Sequence, residues 1–381
     1  MKLQIASPEA IGIDTFILRV PYHGERLRTQ YTQRLTPDGD VIQMGSYAVC
    51  IKGKAGQHTV KVRHDQQRNE LQIEGSPYGF LYGQNVFTGT DLPWITHHLL
   101  KKVVEKLSLP ETQVAQWSED QIVVDRIDLA MNMNFGSEED VNSALVQLGQ
   151  QFAAHQRSMF MQATSLYWNP RLGKDYLIAL YAKGAQLEAK YNRSQTKDPI
   201  LKRLLEETVG MLRIELRLRG PELKQLHMTR VNDWTRQSMA NAFCRYFARM
   251  PVWNITSGPL TLDELEGLSP AEKRYLALHK SGAPMSWLQA ERSTQRLRKS
   301  FREKYHLDLR CPNRDERTMK LADLMSDPDR IVRTPQWLIE VGWARGKRKV
   351  SSRQSVGTRS KKVGDHRASS LSTTQFPSIS V

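Results

Sequence analysis

One segment constrains the fold of this chain more than any other: IVVDRIDLAMNMNF, residues 122–135. Its β-branched and other apolar side chains are typical of a strand buried in the middle of a sheet. Asp128 lies within it, and burying a carboxylate without a partner costs several kcal/mol. The partner is either Arg126, two residues away on the same face of the strand, or a Mg²⁺ ion, because hard cations take carboxylate oxygens.

The rest of residues 1–220 mixes strand and helix patterns and predicts an α+β domain with an antiparallel-rich sheet and packed helices. In residues 211–218, Leu and Ile alternate with charged residues, so Glu215 is flanked on its own face by Arg213 and Arg217. Glu215 therefore has the same two interpretations as Asp128, an ion pair or a metal ligand. Strands are predicted at residues 13–22, 71–77, 122–135, 174–188 and 211–218, and helices at residues 93–107, 137–156 and 200–207.

After residue 220 the patterns are helical only. Ser269 and Glu272 form a capping box around Pro270, which predicts a helix that ends near residue 281. Further helices are expected to begin near residues 286 and 293, and the last of them is strongly basic. This arrangement resembles a helix-turn-helix whose third helix lies in the major groove, although a solvated amphipathic helix is the alternative. The predicted DNA-binding side chains are Arg296, Arg298, Lys299, Arg302 and Lys304.

The net charge of +15 favours a polyanionic partner, with nucleic acid as the first candidate. Residues 345–381 hold nine basic residues and one acidic residue, among Ser, Thr and Gly. Because such a segment cannot bury enough surface to offset its ordering entropy, it is predicted to be a disordered tail. The tail either contacts DNA phosphates or only keeps the chain soluble. The predicted parts are an α+β domain (1–220), a helical module (221–342) and the basic tail (343–381).

Several protein classes do not fit the sequence. The longest apolar run without charges, YLIALYA, has seven residues, whereas a membrane span needs about 18. No GxxxxGK[ST] loop and no CxxC pair occur, which argues against a P-loop NTPase and a zinc ribbon. Three widely spaced cysteines suit a reducing cytoplasm better than a disulfide framework.

Tyr181 is a candidate for covalent chemistry. It lies in the strand pattern LIALYAK, with Lys183 two residues later on the same face. A phenol beside an ammonium group is favoured as the phenolate, which is the nucleophilic form. A tyrosine in such a strand is more often a core residue, and the residues alone leave both interpretations open.

Several segments taken together resemble one family, the gene II/X replication initiators of filamentous bacteriophages. The resemblance covers residues 11–310 and leaves the tail outside. The size and charge profile are also similar to those of the replication proteins of Vibrio filamentous phages. The matching segments, in order, are IDTFILRVP, SPYGFLYGQNVFTGTDL, VVDRIDLA, SLYWNPRLGKDYLIALYAKGAQLE and GMLRIELRLRGPELKQL.

The resemblance implies a rolling-circle nicking endonuclease and strand transferase, with residues 1–220 as the nicking domain. In this family a tyrosine attacks one strand of double-stranded replicative-form DNA at the origin and stays linked to the 5′ phosphate. A later transfer rejoins the displaced strand. The family's nucleophile falls on Tyr181, with Tyr167 and Tyr176 as rivals, and Lys183 would offset negative charge.

The resemblance also implies a divalent cation, Mg²⁺ or Mn²⁺, that polarises the scissile phosphate. Related endonucleases hold it through a His-hydrophobe-His motif, which this chain lacks, so Asp128 and Glu215 are expected to hold the metal instead. The implied partners are double-stranded and single-stranded origin DNA, a host helicase and a host DNA polymerase, in the host bacterial cytoplasm. No membrane partner is expected.

Two other functions remain open from the sequence. One is a non-catalytic origin-binding repressor or replication modulator on the same scaffold. The other is a basic RNA-binding protein, which would need surface aromatics for stacking. Geometry distinguishes a nicking enzyme from these binding functions, because strand cleavage requires Tyr181, Asp128 and Glu215 to approach one phosphate. A Tyr181 hydroxyl buried in a core would favour binding alone.

Overall fold

The computed structural model describes residues 8–25, 27, 31–35, 41–46, 48–56, 58–110, 112, 117–154, 159–162, 164–168, 175–193, 198–250, 252, 260–281, 291–305, 307, 309 and 320–345. The strands within these residues are β1 Gly12–Pro21, β2 Tyr31–Leu35, β3 Val41–Ser46, β4 Val49–Lys52, β5 Thr59–Asp65, β6 Glu70–Gly75, β7 Val123–Asn134, β8 Met159–Gln162, β9 Ser165–Trp168, β10 Tyr176–Ala182 and β11 Met211–Arg219.

Nine of these strands form one sheet, in the order β4-β5-β6-β1-β7-β11-β10-β9-β8. Each pair of neighbours in it is antiparallel. The strands β2 and β3 pair with each other in a separate antiparallel hairpin. The predicted α+β class with an antiparallel sheet is confirmed.

β7 is the middle strand of the nine, between β1 and β11. Its residues 127–133 are all buried, on both faces of the strand. Covering on both sides explains why this segment is nearly continuously apolar rather than alternating. The prediction of a buried central strand at residues 122–135 is therefore confirmed.

Helices pack against this sheet and share one apolar core with it. In α2 the buried residues Leu99, Leu100 and Val103 follow helical spacing, and the Asp91 side chain caps the first turn by accepting from Trp94 N. The described α-helices are α1 Pro77–Tyr82, α2 Leu92–Leu107, α3 Glu138–Ala154, α4 Lys183–Arg193, α5 Pro199–Glu206, α6 Gly220–Gln225, α7 Arg236–Phe247, α8 Leu262–Glu266, α9 Pro270–Ser281, α10 Glu291–Lys304, α11 Leu321–Ser326 and α12 Gln336–Glu340.

The prediction of a strand over residues 174–188 is wrong in its second half. β10 ends at Ala182, and α4 begins at the next residue. The sequence of α4 is rich in helix formers, and Leu187 provides its buried side. Gly184 fits a crowded place, because a Cβ there would lie 2.2 Å from Glu138 Oε1. The apolar run of β10 hid this change of backbone conformation.

The helices after residue 220 pack in two ways. Residues of α6, α7 and α11 join the core of the sheet, whereas α9 and α10 share a smaller cluster around Tyr275 and Phe301. The predicted capping box is present, because Ser269 and Glu272 each accept the other's backbone N–H. That the chain divides at residue 220 into two parts that fold independently stays a prediction.

Two predicted features fall outside the described residues. The second helix of the helix-turn-helix, near residues 286–289, is one of them, and most of the basic tail, residues 346–381, is the other. Residues 1–345 form one compact unit, and Trp343 within it is buried. No described helix is long and apolar enough to cross a membrane.

Candidate active site

Four neighbouring strands, β1, β7, β11 and β10, form the wall of one cavity. Directly opposite residues of antiparallel neighbours lie on the same face of a sheet. The register places Asp128 opposite Arg217, and Tyr181 opposite Arg213. The cavity has a volume of about 520 Å³. Its lining includes Asp14, Asn85, Asp128, Tyr181, Glu215 and Arg217.

Tyr181 and Glu215 are in direct contact. The Tyr181 hydroxyl donates a hydrogen bond to Glu215 Oε1, and Arg213 Nε donates to the same oxygen at 2.8 Å. Although Tyr181 is only 7% exposed, it borders the cavity and belongs to none of the apolar clusters of the described residues. The structure thus brings together two residues that the sequence suggested separately.

The pKa shifts of Tyr181 and Glu215 determine which of the two side chains carries the shared proton. Burial, followed by the charge of Glu215, raises the pKa of Tyr181 well above its ordinary value. Burial also pushes the pKa of Glu215 upward, but Arg213 and Lys183 outweigh it and hold that pKa below its ordinary value. The site therefore holds a neutral phenol that donates to an ionised carboxylate. The expected resting phenolate is wrong, because a carboxylate rather than an ammonium group meets the hydroxyl.

Lys183 does not share a strand face with Tyr181, because the strand ends at Ala182. Its Nζ donates to Gln186 Oε1 at 2.8 Å and lies 5.6 Å from the centre of the Tyr181 ring. Burial, followed by the charge of Arg213, lowers the pKa of Lys183 to about 7. Lys183 is thus a buried neighbour of the phenol ring, and its catalytic role stays a prediction.

Asp128 is 1% exposed, and both of its oxygens accept hydrogen bonds. Arg217 donates to Oδ1 and Oδ2 at 2.9–3.1 Å, and Thr15 Oγ1 donates to Oδ2 at 2.7 Å. Arg126 Nε lies 3.3 Å from Oδ1. The ion-pair interpretation is therefore realised, with Arg217 as the nearer partner. These contacts occupy the oxygens that a metal ion would need.

Asp14 is an acid of the site that the sequence analysis missed. A β-bulge in β1 makes it the extra residue between Ile13 and Thr15. Bulges often re-aim a side chain beside a functional site, and Asp14 is 5% exposed at the cavity. Burial, followed by repulsion from Glu215, raises the pKa of Asp14 to about 6. The one signal in the sequence is an acid inside a mostly apolar first strand.

Arg213 connects the acids and is fully buried, with 0% exposure. Its Nη2 donates to Asp14 Oδ1 at 2.8 Å, and its Nη1 donates to Val86 O at 2.9 Å and to Asn132 Oδ1 at 3.2 Å. Burial alone would lower the pKa of Arg213, but the surrounding groups, Asp14 first, raise it above its ordinary value. The alternating pattern placed Arg213 on the charged face of β11 but could not show that this face is covered.

A divalent cation fits Asp14 and Glu215 better than Asp128. Every hydrogen bond described to Asp14 falls on Oδ1, and every one to Glu215 falls on Oε1, so the described residues leave Oδ2 and Oε2 without a donor. Mg²⁺ is usually held by one or two carboxylates and substrate phosphates rather than by a protein cage. A cage is not found: in the described part of the chain, no group of three or more His, Cys, Asp or Glu side chains could hold a metal ion.

The two rival tyrosines lie in different places. Tyr167 in β9 lines the same cavity as Tyr181. Tyr176 lies five residues before Tyr181 in β10, and its ring packs against Trp168 and Tyr246. Because successive strand residues alternate between faces, Tyr176 and Tyr181 lie on opposite faces of β10. Tyr167 is therefore the stronger rival.

The basic helix α10 has the predicted division into two sides. Phe301 is fully buried, and Leu297 packs in the same small cluster. Three of the side chains predicted to bind DNA are exposed and two are only partly exposed. Arg296, Lys299 and Lys304 are the exposed ones, and Arg298 and Arg302 are the partly exposed ones.

A comparison with known families adds to this geometry. The family described as the N-terminal region of the replication-associated gene II protein of phages matches residues 12–237. The chain belongs to this family. The match runs from β1 to the start of α7 and so includes every strand around the cavity. The resemblance to filamentous-phage replication initiators is confirmed, and the chain is a phage replication-associated protein. No curated protein matched the chain.

Proposed function

We propose that the chain nicks one strand of double-stranded phage DNA at an origin through a covalent 5′-phosphotyrosine at Tyr181, which starts rolling-circle replication. The observation that carries this proposal is the hydrogen bond from the Tyr181 hydroxyl to the ionised Glu215 at the wall of the cavity. Covalent catalysis uses a nucleophile that donates to a base, with a third group orienting the base. Arg213 is that third group here.

The nicking step is a transesterification. The Tyr181 oxygen bonds to phosphorus while its proton passes to Glu215. The bond from phosphorus to the 3′ oxygen breaks, and that oxygen takes a proton from water and leaves as a 3′-hydroxyl. Because the new ester keeps the free energy of the phosphodiester, a 3′-hydroxyl can later attack it and rejoin the displaced strand without ATP. In that rejoining step the attacking 3′-hydroxyl gives its proton to solvent, the bond from phosphorus to the Tyr181 oxygen breaks, and Glu215 returns its proton to that oxygen.

Positive charge is available where the phosphate would react. Arg217 lines the cavity with a side chain that is 32% exposed, while Asp128 holds it in place. Fixed cations at a developing negative charge lower the barrier, and buried Lys183 adds to this potential. A Mg²⁺ or Mn²⁺ ion held through Asp14 and Glu215 would polarise the scissile phosphate. Asp128, first predicted as a metal ligand, would then act by orienting Arg217.

Other parts of the chain are proposed to hold the DNA. The exposed cations of α10 would contact double-stranded origin DNA, and the basic tail would add phosphate contacts that do not depend on sequence. Unwinding and copying would fall to a host helicase and DNA polymerase in the bacterial cytoplasm, since the sequence contains no P-loop.

The test is the nicking of a supercoiled plasmid that carries the cognate phage origin, in Mg²⁺. Wild type is expected to relax the plasmid and to remain on the 5′ end. Tyr181→Phe removes one oxygen and is expected to bind without cutting. Tyr176→Phe, on the opposite face of the same strand, is the matched control and should cut like wild type.

Two outcomes would contradict the proposal. If Tyr181→Phe still cuts, the nucleophile is another residue, and Tyr167 comes first because it lines the cavity. If wild type binds the origin but never cuts, the chain is a repressor or replication modulator on this scaffold.

A further inference from the structure

The C-terminal strap, defined as residues 331–345, returns to the central sheet although it lies beyond the matched residues 12–237. At its start, Val332 N donates to Asn132 O of β7 at 3.0 Å. At its end, the strap reaches the loop of residues 83–87, which precedes α2. The strap therefore contacts the strand and the loop that border the proposed active site.

Trp343 of the strap packs directly on this loop. It is 5% exposed and shares a buried apolar cluster with Val86 and Phe87. Gly83 has a φ of +84°, and a Cβ there would come within 3.1 Å of the Trp343 ring. Only glycine combines this backbone conformation with such a close approach at low cost.

Gln84 links the strap to the loop by hydrogen bonds, and its side chain is buried. Its Nε2 donates to Trp343 O at 2.9 Å and to Phe87 O at 2.8 Å. Its Oε1 accepts from Val86 N at 2.8 Å and from Phe87 N at 2.9 Å. All four hydrogen-bonding positions of the amide are therefore filled by backbone groups.

The loop in turn holds the charged residues of the site. Val86 O accepts a hydrogen bond from Arg213 Nη1 at 2.9 Å, and Asn85 Nδ2 donates to Asp14 Oδ1 at 2.9 Å. Arg213 also donates to Glu215, which accepts from the nucleophile. An unbroken series of contacts thus leads from the strap to the reacting hydroxyl.

We infer that the C-terminal strap is part of the catalytic unit and that Gln84 is a positioning residue, which places Arg213 and Asp14 through the loop of residues 83–87. This inference rests on the proposed nicking function. Gln84 does not line the cavity, so it acts through other residues rather than on DNA. A misplacement of reacting groups by about 1 Å can cost about 100-fold in rate.

The experiment uses full-length variants at saturating concentration on the supercoiled plasmid that carries the cognate phage origin, in Mg²⁺. Gln84→Met keeps the volume but removes the four hydrogen bonds. The single-turnover nicking rate is expected to fall about 10- to 100-fold, while the Kd for the double-stranded origin DNA changes by less than about twofold.

Gln237→Met is the matched control, because it makes the same exchange at an exposed glutamine of α7. Gln237 Nε2 donates to Asn241 Oδ1 at 2.9 Å, and Gln237 makes no described hydrogen bond to the strap or to the loop of residues 83–87. Gln237→Met should therefore cleave like wild type.

A second variant covers the case in which Gln84→Met fails to fold. Trp343→Leu loosens the strap and leaves every side chain of the loop intact. It is expected to slow cleavage and to speed hydrogen exchange at the Val86 and Phe87 amides.

If a folded Gln84→Met cleaves at the wild-type rate, or if Trp343→Leu changes neither quantity, the inference is overturned. If wild type itself does not cleave, the proposed function fails, and the amide exchange of Trp343→Leu alone decides whether the strap orders the loop.

Discussion

Single residues set the charge balance of the cavity. Three acids in or beside it are matched by three bases, and each acid contacts or is electrostatically coupled to at least one base. Removing one member of a buried ion pair leaves an uncompensated charge, which costs more than the pair contributes. The residues proposed for chemistry are therefore also residues on which stability depends. The acids are Asp14, Asp128 and Glu215, and the bases are Lys183, Arg213 and Arg217.

The pKa of Asp14, raised to about 6, predicts how nicking depends on pH. Below that pH the carboxyl is protonated, so it neither neutralises Arg213 nor offers an oxygen to a cation. The nicking rate in Mg²⁺ is expected to fall about tenfold per pH unit below about pH 6 and to be highest between about pH 6 and pH 7, because Lys183, with a pKa of about 7, loses its charge above that range. Asp14→Asn should be slow at every pH, whereas Asp125→Asn should keep the wild-type profile. A wild-type rate that stays constant from about pH 5 to pH 8 would contradict this role.

Asp128 is expected to stabilise the fold more than Asp125, which lies on the same strand. Asp128→Asn leaves Arg126 and Arg217 without their buried carboxylate, and we expect a loss of about 3 kcal/mol in the free energy of unfolding. Asp125→Asn removes a pair with Arg19 in which both side chains are a quarter to a third exposed, so about 1 kcal/mol or less is expected. Urea unfolding of both variants measures the difference. Equal losses in the free energy of unfolding would mean that the buried ion pairs of Asp128 contribute no more to stability than the partly exposed pair of Asp125.

Some site residues could be predicted from residue type and others could not. Asp128 and Tyr181 stand out because they interrupt or end an apolar strand pattern, and Glu215 stands out as an acid between two arginines on one face of a strand. Asp14 reaches the cavity only because a bulge turns it inward, and bulges leave no reliable mark in one sequence. Arg213 looked like a surface residue, since the loop that covers it is more than 120 residues away along the chain.

At the scale of elements, sequence patterns predicted strands β1, β6, β7, β10 and β11 and helices α2, α3 and α5 of the sheet region. They failed at the junction between β10 and α4, where the apolar run ends at Ala182 and the chain turns directly into a helix. This junction places Tyr181 at the end of its strand, beside the helix that carries Lys183 and Gln186. Local patterns did not show it, because the residues of α4 are compatible with either conformation until tertiary packing decides.

The basic helix α10 supports a prediction about DNA binding. Arg296→Gln with Lys299→Gln removes two exposed cations, and the slope of log K against log salt for origin DNA should shrink by about 2. The melting temperature should stay unchanged, because both side chains lie toward solvent. Lys101→Gln with Lys106→Gln in α2 removes two exposed cations elsewhere and is the control. If both double variants weaken binding equally, α10 is not a specific DNA contact.

At the scale of the whole molecule, segments that the sequence patterns assign to different parts of the chain pack together. Sequence patterns divide the chain at residue 220, where the predicted strands end, yet α6, α7 and α11 belong to the core of the sheet and the strap reaches the active-site loop. Sequence patterns report local conformation and partial burial, but they do not say which distant segment covers which face. The contacts of Trp343 with Gln84 and Gly83 could therefore not be foreseen.

The central claim is that Tyr181 becomes covalently linked to a DNA 5′ phosphate. The most direct measurement is to trap the product of wild type with origin DNA, digest protein and DNA, and locate the remaining nucleotide by mass spectrometry. We expect it on the peptide that contains Tyr181, and on no peptide of Tyr181→Phe. A nucleotide on Tyr167, or cleaved DNA that carries no protein on its 5′ end, would contradict the account.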